Sequence, residues 1–190
     1  RLPITAHMLY LLLMTSFVAS MLTASVGIGG GTLVLAVLVI TVPITAVVPL
    51  HSVVQLGSNT GRTVMMRPHV SSTLFWRLLV GAVLGTLLAA PFSAFWLSEI
   101  QLTLLLAVFT LLVTWLPLPA VKTQSLKNHT VFGTAISFIG VFVSATGPLV
   151  AAYMRHQTSG KQELVATMAA TVSTMNLFRV LLFSGLGCLV

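Results

Sequence analysis

Residues 26–62 read VGIGGGTLVLAVLVITVPITAVVPLHSVVQLGSNTGR, and this stretch decides how the chain folds. It closes a run of 60 residues, Leu2 to Gly61, that contains no Asp, Glu, Lys or Arg; His7 and His51 are its only groups that titrate near neutrality. As one helix the run would measure about 90 Å, roughly three times the thickness of a bilayer's hydrocarbon core, so it must turn back on itself inside a membrane. The whole chain agrees. Its 190 residues are 57% hydrophobic and 6% charged, whereas soluble domains run near 45–50% apolar and about 25% charged. The expected class is an all-α, polytopic integral membrane protein with the lipid bilayer as its surroundings. Apolar stretches continue to Val190, unlike the single short apolar segment of a cleaved signal peptide.

The net charge of +7 comes from nine Lys/Arg against two acids. Most of the basic residues, among them Arg67, Lys122, Lys127, Arg155 and Lys161, fall between apolar spans, as in cytoplasmic loops. They form no stripe for a phosphate backbone to follow, so no nucleic-acid partner is expected. The single cysteine, Cys188, excludes an internal disulfide framework and any CxxC site. Neither metal nor cofactor is expected.

Apolar spans run over Met8–Val26, Leu74–Leu97, Leu102–Leu118, Val131–Met154 and Leu164–Val190, with an irregular stretch at Thr32–Met66. A polar linker, 119–130, divides a first transmembrane repeat, 1–118, from the first half of a second, 131–190. Loop charge places the Arg67–Arg77 turn and the linker in the cytoplasm. The loop of Arg155 and Lys161 fits simple alternation poorly.

The two parts are weakly self-similar at an offset of 117 residues. Asn59 and Arg62 fall on Asn176 and Arg179, and Gly30 falls on Gly147. Each copy reads as a helix, a glycine-rich break, a short apolar piece and a helix ending in Asn-x-x-Arg, a pattern found in transporters built from repeats. With about four transmembrane helices per repeat, the spans at 74–97 and 102–118 need partners near 191–235. The chain is therefore expected to be a fragment lacking about two terminal helices.

Chemistry concentrates at three places. Gly29, Gly30 and Gly31 belong to a run that weakens a helix by about 1 kcal/mol per glycine. A helix restarting after such a break aims its positive end and backbone amides at an anion. Thr146, Gly147 and Pro148 are the second copy of the break. Close helix packing is the alternative use of these glycines. The Asn59/Arg62 and Asn176/Arg179 pairs each share a helix face, and an arginine fork suits the oxygens of a sulfonate, sulfite or carboxylate. Snorkelling to the headgroups is the alternative for arginines late in a span. His51, beside Ser52, is the proton-coupling candidate; a neutral histidine bonded to a backbone carbonyl is the alternative. Ser52, Ser58, Ser173 and Thr174 are candidates for a polar path, and Thr167 lies one position off the His51 register. Glu163 reads as a loop residue, and Trp76, Trp96 and Trp115 as interfacial anchors.

With its Gly-Gly-Gly-x-Leu break, a Pro a dozen residues on and a Ser-containing helix ending in a basic residue, the 26–62 stretch resembles the opening repeat of the TauE/SafE sulfite exporter family. GPLVAAYM and ELVATMAATVSTMNLFR look like its diverged second repeat. This chain has His51-Ser52 where that family commonly has Thr-Ser, and Pro148 where it has a glycine. The resemblance implies a multi-pass protein of a bacterial inner membrane that exports sulfite or a small organosulfur anion.

The expected function is thus secondary transport of a small anion by alternating access at the two broken helices. Gly29, Gly30, Gly31, Ser52, Asn59, Arg62, Thr146, Gly147, Asn176 and Arg179 are the candidate substrate contacts. The competing readings are a passive anion channel, a non-transporting membrane scaffold, and an enzyme embedded in the membrane. The last lacks support, because five scattered histidines and two distant acids offer no metal cluster or acid pair. No catalytic residue is assigned. Homo-oligomerisation is compatible with the sequence.

Overall fold

The computed structural model describes residues 6–26, 30–93, 98–115 and 125–187. Among them are eight α-helices and no strand: α1 (Ala6–Val26), α2 (Gly30–Thr41), α3 (Ile44–Met65), α4 (Ser72–Ser93), α5 (Glu99–Trp115), α6 (Leu126–Val143), α7 (Gly147–Met154) and α8 (Lys161–Gly185). A short 3-10 turn, Arg67–His69, leads from α3 towards α4. The fold is all-α.

Three described helices, α4, α6 and α8, are long and apolar enough to cross a membrane. The exterior fits a lipid solvent, since Leu87, Leu104, Leu111 and Leu181 are each more than half exposed. Water tolerates no apolar exterior of that extent. The protein is a multi-pass membrane protein.

The expectation of two repeats of about four transmembrane helices, the second truncated, is overturned, and with it the count from which missing helices were deduced. At 1.5 Å per residue, α2 and α7, of 12 and 8 residues, reach only about 18 and 12 Å, far short of a hydrocarbon core of about 30 Å, and the 17 described residues of α5 are fewer than in α4, α6 or α8. Helix α3 has 22 residues, but His51, Gln55, Asn59 and Arg62 dilute its apolar character. The charge-free stretch 131–154 is likewise two helices rather than one span, interrupted at Ser144–Thr146. What recurs is a unit of three helices. The ends of α1 and α6 at 26 and 143, the starts of α2 and α7 at 30 and 147, and the starts of α3 and α8 at 44 and 161 are each 117 residues apart. Helices α4 and α5 lie between the two units.

Packing follows residue size. On α4, Gly81, Gly85 and Ala89 recur every fourth position and face α6. A Cβ on Gly81 would run into the Thr130 carbonyl, and one on Gly85 into that of Thr134. Without a hydrophobic driving force between helices in lipid, such small-residue seams are how helices approach closely. The Thr86 and Ser137 hydroxyls, 2.9 Å apart, cross the same seam. Helix α8 is buried all round from Val165 to Val172, which marks it as the central element. It packs on α3, α4 and α7, and Thr60 of α3 meets Ser173 of α8 at 2.6 Å. Of two apolar clusters, one gathers α1, α2 and α3 around Val34, Leu38 and Val47. The other joins α4, α7 and α8 through Leu78, Met154 and Met175.

Candidate functional site

The starts of α2 and α7 meet at one cavity of about 40 Å³, room for a few water molecules or one small polyatomic ion. Gly30 and Gly31 of α2 line it from one side and Gly147 and Pro148 of α7 from another, so the first turns of two helices border the same space. Both bring the positive end of a helix dipole. Helix α3 adds a polar face: His51, Gln55, Ser58, Asn59 and Arg62 recur at helical spacing along the wall. Asn176 of α8 completes it, with Ser16 and Ser20 of α1.

His51 ties the two breaks together. Its Nε2 lies 2.8 Å from the Gly31 carbonyl oxygen. A carbonyl can only accept, so Nε2 carries the proton. Nδ1 of the neutral ring then accepts from the Ser144 hydroxyl at 2.6 Å. The ring thereby bridges the start of α2 and the turn between α6 and α7. Ser144 has φ 58° and ψ −37° and is the only described non-glycine residue with a positive φ. The Ala145 amide donates to the Val143 carbonyl across it at 2.6 Å, closing a three-residue turn of the rare, strained kind. Such strain persists only where the surroundings hold it.

Arg179 supplies much of that hold. It is fully buried; Nη1 donates to the Ser144 carbonyl and to Asn176 Oδ1, and Nη2 to Thr146 Oγ1, each at 3.1 Å. Its guanidinium rests on Gly140, where a Cβ would collide with it. It is therefore not a snorkelling residue. Arg62, half-buried, makes the matching intrahelical bond to Asn59 Oδ1, also at 3.1 Å.

Neither arginine has a carboxylate partner among the described residues. The chain has two acids. Glu99 is exposed in the first turn of α5, and Glu163 lies in the first turn of α8 rather than in the loop expected of it, where its carboxylate accepts from the Ser159 amide at 2.8 Å. Arg179 Nε and Asn176 Nδ2 are buried donors without a partner. An uncompensated cation in a membrane interior costs several kcal/mol. An anion about 4 Å away returns about 4 kcal/mol at an effective dielectric of 20.

Of the candidate contacts, Gly30, Gly31, His51, Asn59, Arg62, Gly147 and Asn176 come together on the cavity wall. Gly29 and Trp96 lie outside the described residues. Thr146 and Arg179 stand behind the wall. Ser52 is buried and not on the wall; its hydroxyl donates to the Val48 carbonyl at 2.9 Å and lies 3.4 Å from that of Ser144. Thr167 accepts from the Ser71 amide, Thr174 bonds back to Ala170, and Ser173 pairs with Thr60, so none of these three reaches the cavity. Trp76 and Trp115 are exposed. Sequence reasoning missed Gln55, although an amide inside an uncharged stretch was a usable signal. It also missed Gly140, whose importance rests on a contact 39 residues away. Among the described residues no three His, Cys, Asp or Glu side chains gather to hold a metal.

No curated protein and no solved structure matches the chain. Residues 12–189 match the family described as Sulfite exporter TauE/SafE. A cavity formed by two interrupted helices in an apolar, multi-pass bundle accompanies that match over most of the length, and the chain belongs to the TauE/SafE sulfite exporter family.

Proposed function

We propose that the protein is a secondary transporter of a small anion, sulfite or an organosulfur anion, acting as an exporter in a bacterial inner membrane. The observation that carries the reading is the pair of guanidinium groups, Arg62 and Arg179, placed without carboxylate partners at or behind a polar cavity between two helix starts. Gly30, Gly31 and Gly147 would offer backbone, and Asn59, Arg62 and Asn176 side chains, to the anion. Alternating access would come from rearrangement of α2 and α7 about their breaks. His51 is well placed to couple such movement to a proton, because its ring bonds to both breaks at once.

Flux of sulfite and methanesulfonate from proteoliposomes, measured with and without a pH gradient and a membrane potential, tests this. Gradient-driven accumulation supports a coupled transporter, and flux that only dissipates gradients supports a channel. Absence of any flux rejects both.

A further inference from the structure

We propose that the two Asn-x-x-Arg copies have divided their roles: Arg62 is the cation that touches the anion, with the Asn176 amide as second donor, and Arg179 is a positioning residue for the Ser144–Thr146 connection. The inference rests on the anion-transport reading. Within each copy the bond from arginine Nη1 to asparagine Oδ1 is the same, 3.1 Å long, and the surroundings differ. Arg179 sends its other two bonds to Ser144 and Thr146, and it is not on the cavity wall. Its seat exists because position 140 has no side chain. In register with Gly140, 117 residues earlier, the sequence has Thr23. Arg62 bonds to Asn59 and lies on the wall.

The asparagines differ in the opposite sense. Asn59 Nδ2 is occupied by the Gln55 backbone carbonyl at 2.8 Å and by Oε1 at 3.1 Å. Asn176 must turn Oδ1 to Arg179, which can only donate, so its Nδ2 points elsewhere; that atom is buried and without a partner, in a residue that lines the cavity. One cation from α3 and one amide donor from α8, on residues that line the same cavity, would each take an oxygen of a single oxyanion. The favoured class is therefore an anion with at least two acceptor oxygens on one centre.

The test uses the full chain in nanodiscs. Sulfite binding is measured by calorimetry, and amide exchange of residues 143–150 is followed without ligand. Arg62→Gln should lose about tenfold or more in sulfite affinity, the size expected for a charged hydrogen bond, with exchange unchanged. Asn176→Asp keeps an oxygen for Arg179 but replaces the free donor by an acceptor, so it too should lose affinity with exchange unchanged. Arg179→Lys should accelerate exchange across the turn even without sulfite. Normal sulfite affinity in Arg62→Gln, or unchanged exchange in Arg179→Lys, overturns the assignment while leaving anion transport standing. If the unaltered protein neither binds nor moves sulfite or methanesulfonate, the anion reading fails and takes the roles of Arg62 and Asn176 with it. The exchange result still decides the role of Arg179.

Discussion

The guanidinium of Arg179 donates to the carbonyl oxygen of Ser144 at 3.1 Å, and Ser144 is the one described non-glycine residue with a positive φ. The pairing joins the central helix to the strained turn between α6 and α7. The backbone geometry costs on the order of 1–3 kcal/mol, and hydrogen bonds from a charged donor contribute about 1.5–3 kcal/mol each. Two such bonds, to Ser144 and Thr146, are sufficient to hold the turn.

Gly140 is the seat of that guanidinium, so Gly140→Ala should be destabilised by about 1–3 kcal/mol, the range for overpacking. Gly147→Ala is the contrasting substitution, since a Cβ there meets nothing within 4 Å. It should stay within about 0.5 kcal/mol of the parent protein. Unfolding in detergent followed by tryptophan fluorescence compares the two; equal stability would show that Arg179 has another place to rest.

Ser144 combines strain with a hydroxyl that reaches His51. Ser144→Ala removes the hydroxyl but keeps the Cβ, and should cost about 1–2 kcal/mol. Ser144→Gly removes both, and relief of strain should offset part of that loss. Alanine being no worse than glycine in chemical denaturation would show that the turn is unstrained.

The α4–α6 seam depends on absent side chains. Gly85→Val should be destabilised by about 1–3 kcal/mol or more, because its side chain would meet the Thr134 carbonyl. Gly57→Ala, in a helix and with nothing within 4 Å, should be neutral or stabilised by up to about 1 kcal/mol. Thermal midpoints of the purified variants decide this, and a Gly85→Val midpoint matching the parent would refute close packing.

His51→Gln retains side-chain hydrogen bonding but has no imidazole to carry a proton. In proteoliposomes it should keep anion flux while losing the dependence on the pH gradient. Persistent coupling to that gradient would remove His51 as the proton carrier.

Much of the candidate site was legible before folding. His51, Asn59 and Arg62 stood out because polar groups are rare in an uncharged run and at its end, and the 117-residue offset led to Gly147, Asn176 and Arg179. Ser52 was equally visible yet bonds to its own helix. A serine can satisfy its hydroxyl on the preceding turn, and composition does not reveal which choice it makes.

By itself the sequence determined the solvent, the all-helical class, the family resemblance and the places where helices break. These follow from local quantities: hydropathy along the chain, glycine and proline positions, and the spacing of polar groups. Only the tertiary structure decided how many helices are long and apolar enough to cross, that the recurring unit has three helices, and that Arg179 stands behind a wall on which Arg62 lies. Those outcomes depend on contacts between residues far apart in the chain, such as Gly140 with Arg179 and His51 with Ser144. The uncharged stretch before Arg62 announced that something polar was hidden in lipid; packing of α3 against α8 decided what faces it.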